Sequence, residues 1–281
     1  FLTLNFVLHA QKTDLQRLNE LKKEIKNATY YDSTTVFQLG EEGIRLANKL
    51  KKKNEIGWIY QYYGNFNFFS SNYESADKYY KKSIDIAEKT KDYQLRNATK
   101  IRLTFIELEA DVIKAESSFR KLLQEAKRNG YIENEIEIYN GLGIMYEMRL
   151  QDDKSIQCYQ SGLKLSEKYH MDYFTSFLLN NLGLLKLENK QYSGAKKDLE
   201  RALVLSTKAN ASRLRFNVLV NLGILNKQTN NIAGSISQYE LTVEEAKKIG
   251  FPPGIVVAYI NLGSSYLDAK QITKARQTID E

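Results

Sequence analysis

The sequence predicts an all-α fold, an α-solenoid built from antiparallel helix hairpins, on three observations. Asn-Leu-Gly stands at residues 181–183 and returns at residues 221–223 and 261–263, 40 residues apart each time. A separate ladder of small residues keeps nearly the same spacing over most of the chain. The chain also holds 19 Tyr and 12 Phe but only 2 Pro. Aromatic side chains fill the seams between packed helices, whereas proline breaks helix interiors.

The Asn-Leu-Gly copies mark the first helix of each repeated unit. In one unit Tyr139, Leu142 and Tyr146 follow an i, i+3, i+7 pattern, which is one face of an amphipathic helix. The position of the glycine recurs toward the start of the chain with nearly the same period, and in one unit a leucine replaces the glycine. The residues at this position are Gly263, Gly223, Gly183, Gly143, Leu103 and Gly64. The period therefore extends well beyond the three Asn-Leu-Gly copies.

The second helix of each unit carries small and large residues at fixed places. Small residues follow the glycine position by 12 residues and large ones by 16; they are Ala76, Ala115, Ser155, Ala195, Ser235 and Ala275, then Tyr80, Phe119, Tyr159, Leu199, Tyr239 and Ile279. Another ladder of small residues lies near the end of each second helix. Its members, separated by 40, 39, 40, 40 and 40 residues, are Ala47, Ala87, Ala126, Ser166, Ser206 and Ala246. The small residues let the two helices approach closely, and we expect the large ones to fill the gap to the next unit. Short polar turns such as residues 151–153 suit an αα-hairpin.

This pattern resembles the tetratricopeptide repeat (TPR) family. The residues that carry the resemblance are Tyr60, Gly64, Ala76 and Tyr80 in one unit and Tyr259, Leu262, Gly263, Tyr266 and Ala275 in another. The resemblance covers residues 14–281, as six repeats and the start of a seventh. It implies a right-handed superhelix in which the first helices line the concave side.

Two departures from the usual TPR pattern concern the period and the end of the second helix. The usual period is about 34 residues, and a proline usually closes the second helix. Here the closing positions hold Glu88, Lys127, Glu167, Thr207 and Lys247. Without that breaker we expect the helices to run on and to accommodate the extra residues.

By the same resemblance, the asparagine two residues before the glycine contacts the ligand backbone or its terminal carboxylate in TPR modules that hold peptides. We carry that role to Asn181, Asn221 and Asn261, because an amide side chain offers two donors and two acceptor lone pairs to a main chain. The polar strip is widened by Asn140, Asn180, Asn217 and Lys227. An alternative stays open, in which these amides bond the neighbouring hairpin and fix the angle between repeats.

Composition argues against most other classes of function. The net charge is +7, but acidic residues are interspersed with basic ones, which indicates a solvated surface rather than a nucleic-acid-binding stripe. With the single cysteine Cys158 and two histidines, His9 and His170, the chain offers no cysteine- or histidine-based metal site. No phosphate-binding glycine loop occurs, and no 18-residue apolar span suggests a membrane helix. We expect no catalytic residue, no cofactor, no bound metal, no direct nucleic-acid partner and no membrane insertion within this chain.

The two ends of the sequence carry separate expectations. Residues 1–10 are apolar through Leu8 and end at a small residue, Ala10, so they resemble the tail of a signal peptide. The protein would then be exported to the periplasm or cell envelope; otherwise it would be cytoplasmic. The sequence stops at Glu281 inside the second helix of its seventh unit, and we expect it to be a fragment.

The sequence favours a non-catalytic module that binds a protein or peptide segment on its concave face, as a scaffold. Two alternatives remain. One is the sensor portion of an exported bacterial signal-transduction regulator, with a kinase or DNA-binding output outside this chain. The other is a peptide-pheromone receptor, against which the apolar start counts. The partner and the oligomeric state are not encoded in anything the sequence displays.

Overall fold

The computed structural model describes residues 2–29 and 32–280, with side chains from Thr13 onward except those of residues 27 and 279. The described residues form fourteen helices and no strand, so the fold class is all-α, as predicted. The helices, numbered in chain order, are α1 Leu2–Ala28, α2 Ser33–Lys49, α3 Lys53–Phe69, α4 Tyr73–Thr90, α5 Tyr93–Ala110, α6 Val112–Asn129, α7 Ile132–Met148, α8 Asp152–Lys168, α9 Asp172–Glu188, α10 Tyr192–Lys208, α11 Ser212–Gln228, α12 Ile232–Lys248, α13 Pro252–Asp268 and α14 Ile272–Asp280.

Left-handed connectors end the helices in the second half of the chain. Helices α8 to α13 have 17 residues each, and three residues join each to the next. The middle residue of the connector has a positive φ, as at His170 (φ 54°) and Gly250 (φ 62°). The next amide then bonds back into the helix, as Met171 N donates to Ser166 O at 2.8 Å. This left-handed turn satisfies a terminal carbonyl and ends the helix without a proline.

Within a hairpin, the glycine of the first helix lies under the large residue of the second. A Cβ added at Gly143 would come within 2.3 Å of the Tyr159 ring, and one at Gly223 within 2.5 Å of the Tyr239 ring. Tyr159 is fully buried. The missing glycine side chain therefore makes room for the large residue inside its own hairpin.

The chain divides into two compact units, Phe1–Ile138 and Tyr139–Glu281. The N-terminal unit has an aromatic and aliphatic core that includes Ile59, Tyr62 and Tyr63. In the C-terminal unit a leucine-rich core runs from α9 to α11 and includes Leu199 and Leu222. The first of these two clusters thus contains buried tyrosines, and the second does not.

Two expected absences concern membrane helices and metal sites. In the described part of the chain, no helix has both the length and the apolar character needed to cross a bilayer. The described side chains contain no group of three or more His, Cys, Asp or Glu arranged to hold a metal ion. The predicted signal-peptide tail, residues 1–10, has side chains outside the described ones and stays a prediction.

Candidate functional site

The predicted site residues lie on four successive first helices, α7, α9, α11 and α13. Residues four apart on a helix share one side, and residues 40 apart occupy equivalent places on successive first helices. We name the resulting surface the first-helix face: it consists of Phe177 and Asn181 on α9, Asn217 and Asn221 on α11, and Val257 and Asn261 on α13.

Four of the predicted asparagines form a chain of amide hydrogen bonds. Asn221 Nδ2 donates to Asn180 Oδ1 at 2.9 Å. Asn180 Nδ2 donates to Asn181 Oδ1 at 3.3 Å, and Asn181 Nδ2 donates to Asn140 Oδ1 at 2.7 Å. Because each donor points toward the preceding acceptor, one polarised chain joins α11, α9 and α7.

These four amides are too buried to form the exposed strip expected for ligand binding. Asn140, Asn180 and Asn221 are 4%, 6% and 8% exposed, and Asn181 is half-buried. In both Asn180 and Asn181, the side-chain nitrogen Nδ2 already donates a hydrogen bond and the oxygen Oδ1 already accepts one. The sequence left open an alternative role, in which these amides bond the neighbouring hairpin. The structure shows that role for the four hydrogen-bonded asparagines. Contact of these residues with a ligand stays a prediction.

The remaining predicted residues differ from that chain and from one another. Asn217 is exposed and Asn261 is half-buried, and neither side chain bonds another side chain or a backbone group among the described residues. Lys227 Nζ donates to Ser264 Oγ at 2.7 Å and pairs with Asp268 Oδ2 at 2.9 Å. Lys227 therefore links α11 to α13, while the two amides remain available.

Apolar side chains accompany the available amides. At the level of Asn217, the neighbouring helices carry Phe177, which is half-buried, and Val257, which is 44% exposed. The Tyr173 ring stacks parallel to the Phe177 ring, with centroids 6.4 Å apart. Sequence reasoning did not single out these apolar residues, although their 40-residue equivalence to Asn217 was a signal that could have found them.

The aromatic residues of α3 are mostly packed inside the N-terminal unit. Tyr62 and Tyr63 are buried, whereas Phe69 is 48% exposed. Tyr63 lies edge-on to Tyr79, with centroids 5.3 Å apart, and Phe37 lies 4.6 Å from Tyr63. These rings form the core of the unit rather than an open surface.

The structure places His170 in a connector and Cys158 on a helix. His170 is the middle residue of the connector between α8 and α9. Cys158 is a half-buried cysteine on α8 and forms no disulfide. Neither takes part in a nucleophile and base pair in the described hydrogen bonds.

Solved structures of TPR-like repeat proteins share this fold. NprR in complex with its cognate peptide NprX is 13% identical, with a TM-score of 0.63 over 96% of this chain and 77% of that one. BtubC (BKLC) from P. vanneervenii is 19% identical, with a TM-score of 0.57 over 92% of this chain and 88% of that one. The STAND protein PH0952 from Pyrococcus horikoshii, which has a tetratricopeptide repeat sensor, is 20% identical with a TM-score of 0.59, over 86% of this chain and 39% of that one.

No protein-family model matches the chain, and no curated protein sequence matches it. At these identities the structural likeness establishes a TPR-like helical repeat fold and nothing about activity.

Proposed function

We propose that this protein is a non-catalytic TPR-type module that binds an extended peptide along the first-helix face. One observation carries the proposal. Asn217 and Asn261 present amides without partners among the described side chains, at a surface that also exposes Val257. An amide can both donate hydrogen bonds to a peptide backbone and accept them from it. Apolar neighbours can contact every second side chain of an extended peptide.

The comparisons support a peptide as the ligand. NprR, which has the same fold over 96% of this chain, was solved with its cognate peptide. The fold alone does not transfer that function, so the argument rests on the surface described above. The hypothesis of a peptide-pheromone receptor is compatible with the same surface.

A second candidate is the sensor portion of a larger signal-transduction regulator. It is favoured by the likeness to the tetratricopeptide repeat sensor of the STAND protein, of which this chain covers 39%. A kinase or DNA-binding output would lie outside the present sequence. An exported, periplasmic or envelope location is part of this proposal and depends on residues 1–10 being a signal peptide; a cytoplasmic location is the alternative.

A selection from a random heptapeptide library displayed on phage tests peptide binding. Enriched peptides are synthesised and their affinity for the protein is measured by fluorescence anisotropy. We expect Val257→Lys to weaken binding by about tenfold or more, because a charge replaces an apolar contact at the interface. The matched control is Leu241→Lys on the second helix α12, where Leu241 is 49% exposed.

Equal binding by both variants and the wild type would place the peptide elsewhere. Failure to enrich any peptide against the wild type, when a peptide-binding protein used in parallel does enrich one, would overturn the proposed function.

A further inference from the structure

A cleft of about 700 Å³ lies in the N-terminal unit, between two successive connectors that join one hairpin to the next. One side comes from the α2–α3 connector and the first turn of α3, and the other from the α4–α5 connector and the first turn of α5. We name it the connector cleft and define it by polar residues that line it: Lys51, Lys53, Asn54, Lys91, Asp92 and Gln94.

The charges of the connector cleft are mostly positive. Lys51, Lys53 and Lys91 are exposed, and none of them pairs with an acidic side chain among the described residues. The acidic residue of the lining is Asp92, whose carboxylate accepts a hydrogen bond from Leu95 N at 3.0 Å and caps α5. Three ammonium groups therefore share the cleft with one carboxylate that is already hydrogen-bonded.

The lysines are particular to these two connectors and are not part of the repeat pattern. Lys51 and Lys91 stand 40 residues apart, each at the left-handed place of its connector, with φ values of 55° and 58°. Lys53 is the first residue of α3, and its counterpart in α9 is the acidic Asp172. The later connectors hold no lysine at the left-handed place, where they have Gly130, His170, Asn210 and Gly250.

Unpaired backbone donors at the start of α3 add to the positive potential. No side chain caps this helix, and Lys53 N and Asn54 N have no acceptor among the described groups. The N-terminus of a helix carries a partial positive charge. Ammonium groups and backbone amides donate hydrogen bonds and do not accept them, so this side of the cleft suits a ligand rich in acceptor oxygens.

We propose that the connector cleft binds an acidic segment of a peptide or protein partner, a short run of Asp and Glu whose carboxylates pair with Lys51, Lys53 and Lys91. Charge complementarity carries the inference, since the cleft offers cations and free donors on both of its sides. The site lies in the N-terminal unit and does not depend on peptide binding at the first-helix face.

The size and the extent of the cleft favour such a segment over other anions. A single phosphate ion would leave most of the volume of about 700 Å³ unfilled, whereas several side chains of a short segment can occupy it. A nucleic-acid strand is held by a longer row of cations along its phosphates. Here the lysines stop after two connectors, because the next one holds Gly130 and Tyr131.

Fluorescence anisotropy with a labelled octapeptide of alternating Asp and Glu tests the connector cleft. Exposed ion pairs are screened by salt, so we expect saturable binding at low ionic strength that weakens as salt is added. The triple variant Lys51→Gln, Lys53→Gln and Lys91→Gln should bind the octapeptide about tenfold or more weakly than the wild type, because three ion pairs are lost. No binding by the wild type at low ionic strength would overturn the inference.

A second triple variant separates the cleft from the overall charge of a basic protein. It removes three exposed lysines of the C-terminal unit that pair with no described acidic side chain, through Lys190→Gln, Lys197→Gln and Lys270→Gln. Both triple variants lose the same positive charge, and exposed substitutions of this kind leave the fold intact. The control should bind the octapeptide nearly as tightly as the wild type. Equal weakening in the two variants would show general electrostatic attraction and overturn the cleft.

Chemical footprinting tests the location without any substitution. Reductive methylation modifies exposed lysines of the wild type, and mass spectrometry reads the extent of modification at each one. The octapeptide at saturation should slow the modification of Lys51, Lys53 and Lys91 and leave Lys190 and Lys270 unchanged. Protection that falls only on other lysines would place the acidic segment elsewhere.

Competition against the labelled octapeptide distinguishes the class of ligand. An octapeptide of alternating Asn and Gln should not compete, because it has the same length without the charge. A single-stranded DNA octamer or inorganic phosphate that competes more strongly than the unlabelled acidic octapeptide would overturn the assignment to an acidic segment. The peptides selected on phage test the first-helix face by themselves, so either proposal can fail while the other stands.

Discussion

The two units of the chain fill the seams between their helix hairpins with different chemistry. In the N-terminal unit, Phe37, Tyr63 and Tyr79 form an aromatic cluster with ring centroids 4.6 to 6.0 Å apart. In the C-terminal unit, the seams between first helices contain the amide chain from Asn221 to Asn140. The same hairpin architecture therefore tolerates either an apolar or a hydrogen-bonded seam.

The difference teaches what each kind of seam specifies. Aromatic side chains bury a large area and tolerate a range of ring angles, so they supply stability. A buried amide loses free energy unless a partner lies at hydrogen-bond distance, so an amide chain fixes the register of neighbouring helices. The described part of the N-terminal unit also has polar bonds between first helices: Asn134 Nδ2 donates to Asn97 Oδ1 at 3.1 Å, and Gln61 Nε2 donates to Thr99 Oγ1 at 3.1 Å. Among the described residues these bonds do not form a chain of amides.

The largest expected effect is in the aromatic seam. Tyr63→Ala removes a buried ring and should lower the free energy of unfolding by about 3–5 kcal/mol. The chain has one tryptophan, Trp58 on α3. Its fluorescence during urea unfolding therefore reports on the N-terminal unit. Phe69→Ala, at a ring that is 48% exposed, should lower the free energy of unfolding far less. Equal losses in the two variants would show that the buried aromatic cluster contributes no more to stability than an exposed ring.

The amide seam should respond less strongly, and with coupling between its members. Asn180→Ala leaves an acceptor on Asn181 and a donor on Asn221 without partners, and it should lower the free energy of unfolding by about 2–3 kcal/mol. In a double-mutant cycle with Asn221→Ala, followed by circular dichroism in urea, the two losses should not add. Asn217→Ala, at an exposed amide, should change stability by about 0.5 kcal/mol or less. Additive losses would mean that the amides act independently.

The glycines test a feature that both units share. Gly223→Ala places a methyl group against the Tyr239 ring and should cost about 1–3 kcal/mol, because a ring cannot yield as a flexible chain can. Gly194→Ala meets only the Lys186 side chain, at 3.2 Å, and lies within a helix. That control should be neutral or slightly stabilising, since alanine favours helix over glycine. Thermal melts of the two variants give the comparison directly.

The smallest effect in stability concerns the pH dependence of the C-terminal unit. The pKa of Glu147 is about 7 in the folded protein, above the value of about 4.3 for a free glutamate. The folded state thus holds the proton more tightly, so the free energy of unfolding falls as the pH rises from about 4 to about 7. Glu147→Gln should remove that slope and raise stability at pH 8 by about 1–2 kcal/mol, a figure reduced for partial solvation.

A control for that pH experiment is the equivalent glutamate of the preceding first helix. Glu107 accepts from Ser118 Oγ at 2.7 Å and pairs with Lys114 at 3.2 Å. Glu107→Gln should therefore lower stability slightly at pH 8 rather than raise it. A Glu147→Gln variant that is also less stable at pH 8 would show that the Glu147 carboxylate is satisfied in the folded state.

Sequence reasoning predicted the architecture because the repeat appears in the residues themselves. The glycine and large-residue ladders identify the two helices of each hairpin, and the buried pairs Gly143–Tyr159 and Gly223–Tyr239 confirm that they belong to one hairpin. The contact of each large ring with the glycine of its own hairpin was not predicted, because spacing along a chain does not say on which side a ring fills space. The apolar neighbours of Asn217, Phe177 and Val257, were missed because an apolar residue on a repeat looks like core.

The sequence by itself determined that this protein is a stack of helix hairpins and that its first helices carry amides in register. Only the tertiary structure decided which of those amides are used inside the protein. Three successive hydrogen bonds join the side chains of Asn140, Asn181, Asn180 and Asn221, and two of these bonds cross between hairpins. Asn217 takes no part in them. Periodicity fixes the position of a side chain on its helix, but its partner depends on how two helices pack, which local sequence does not encode.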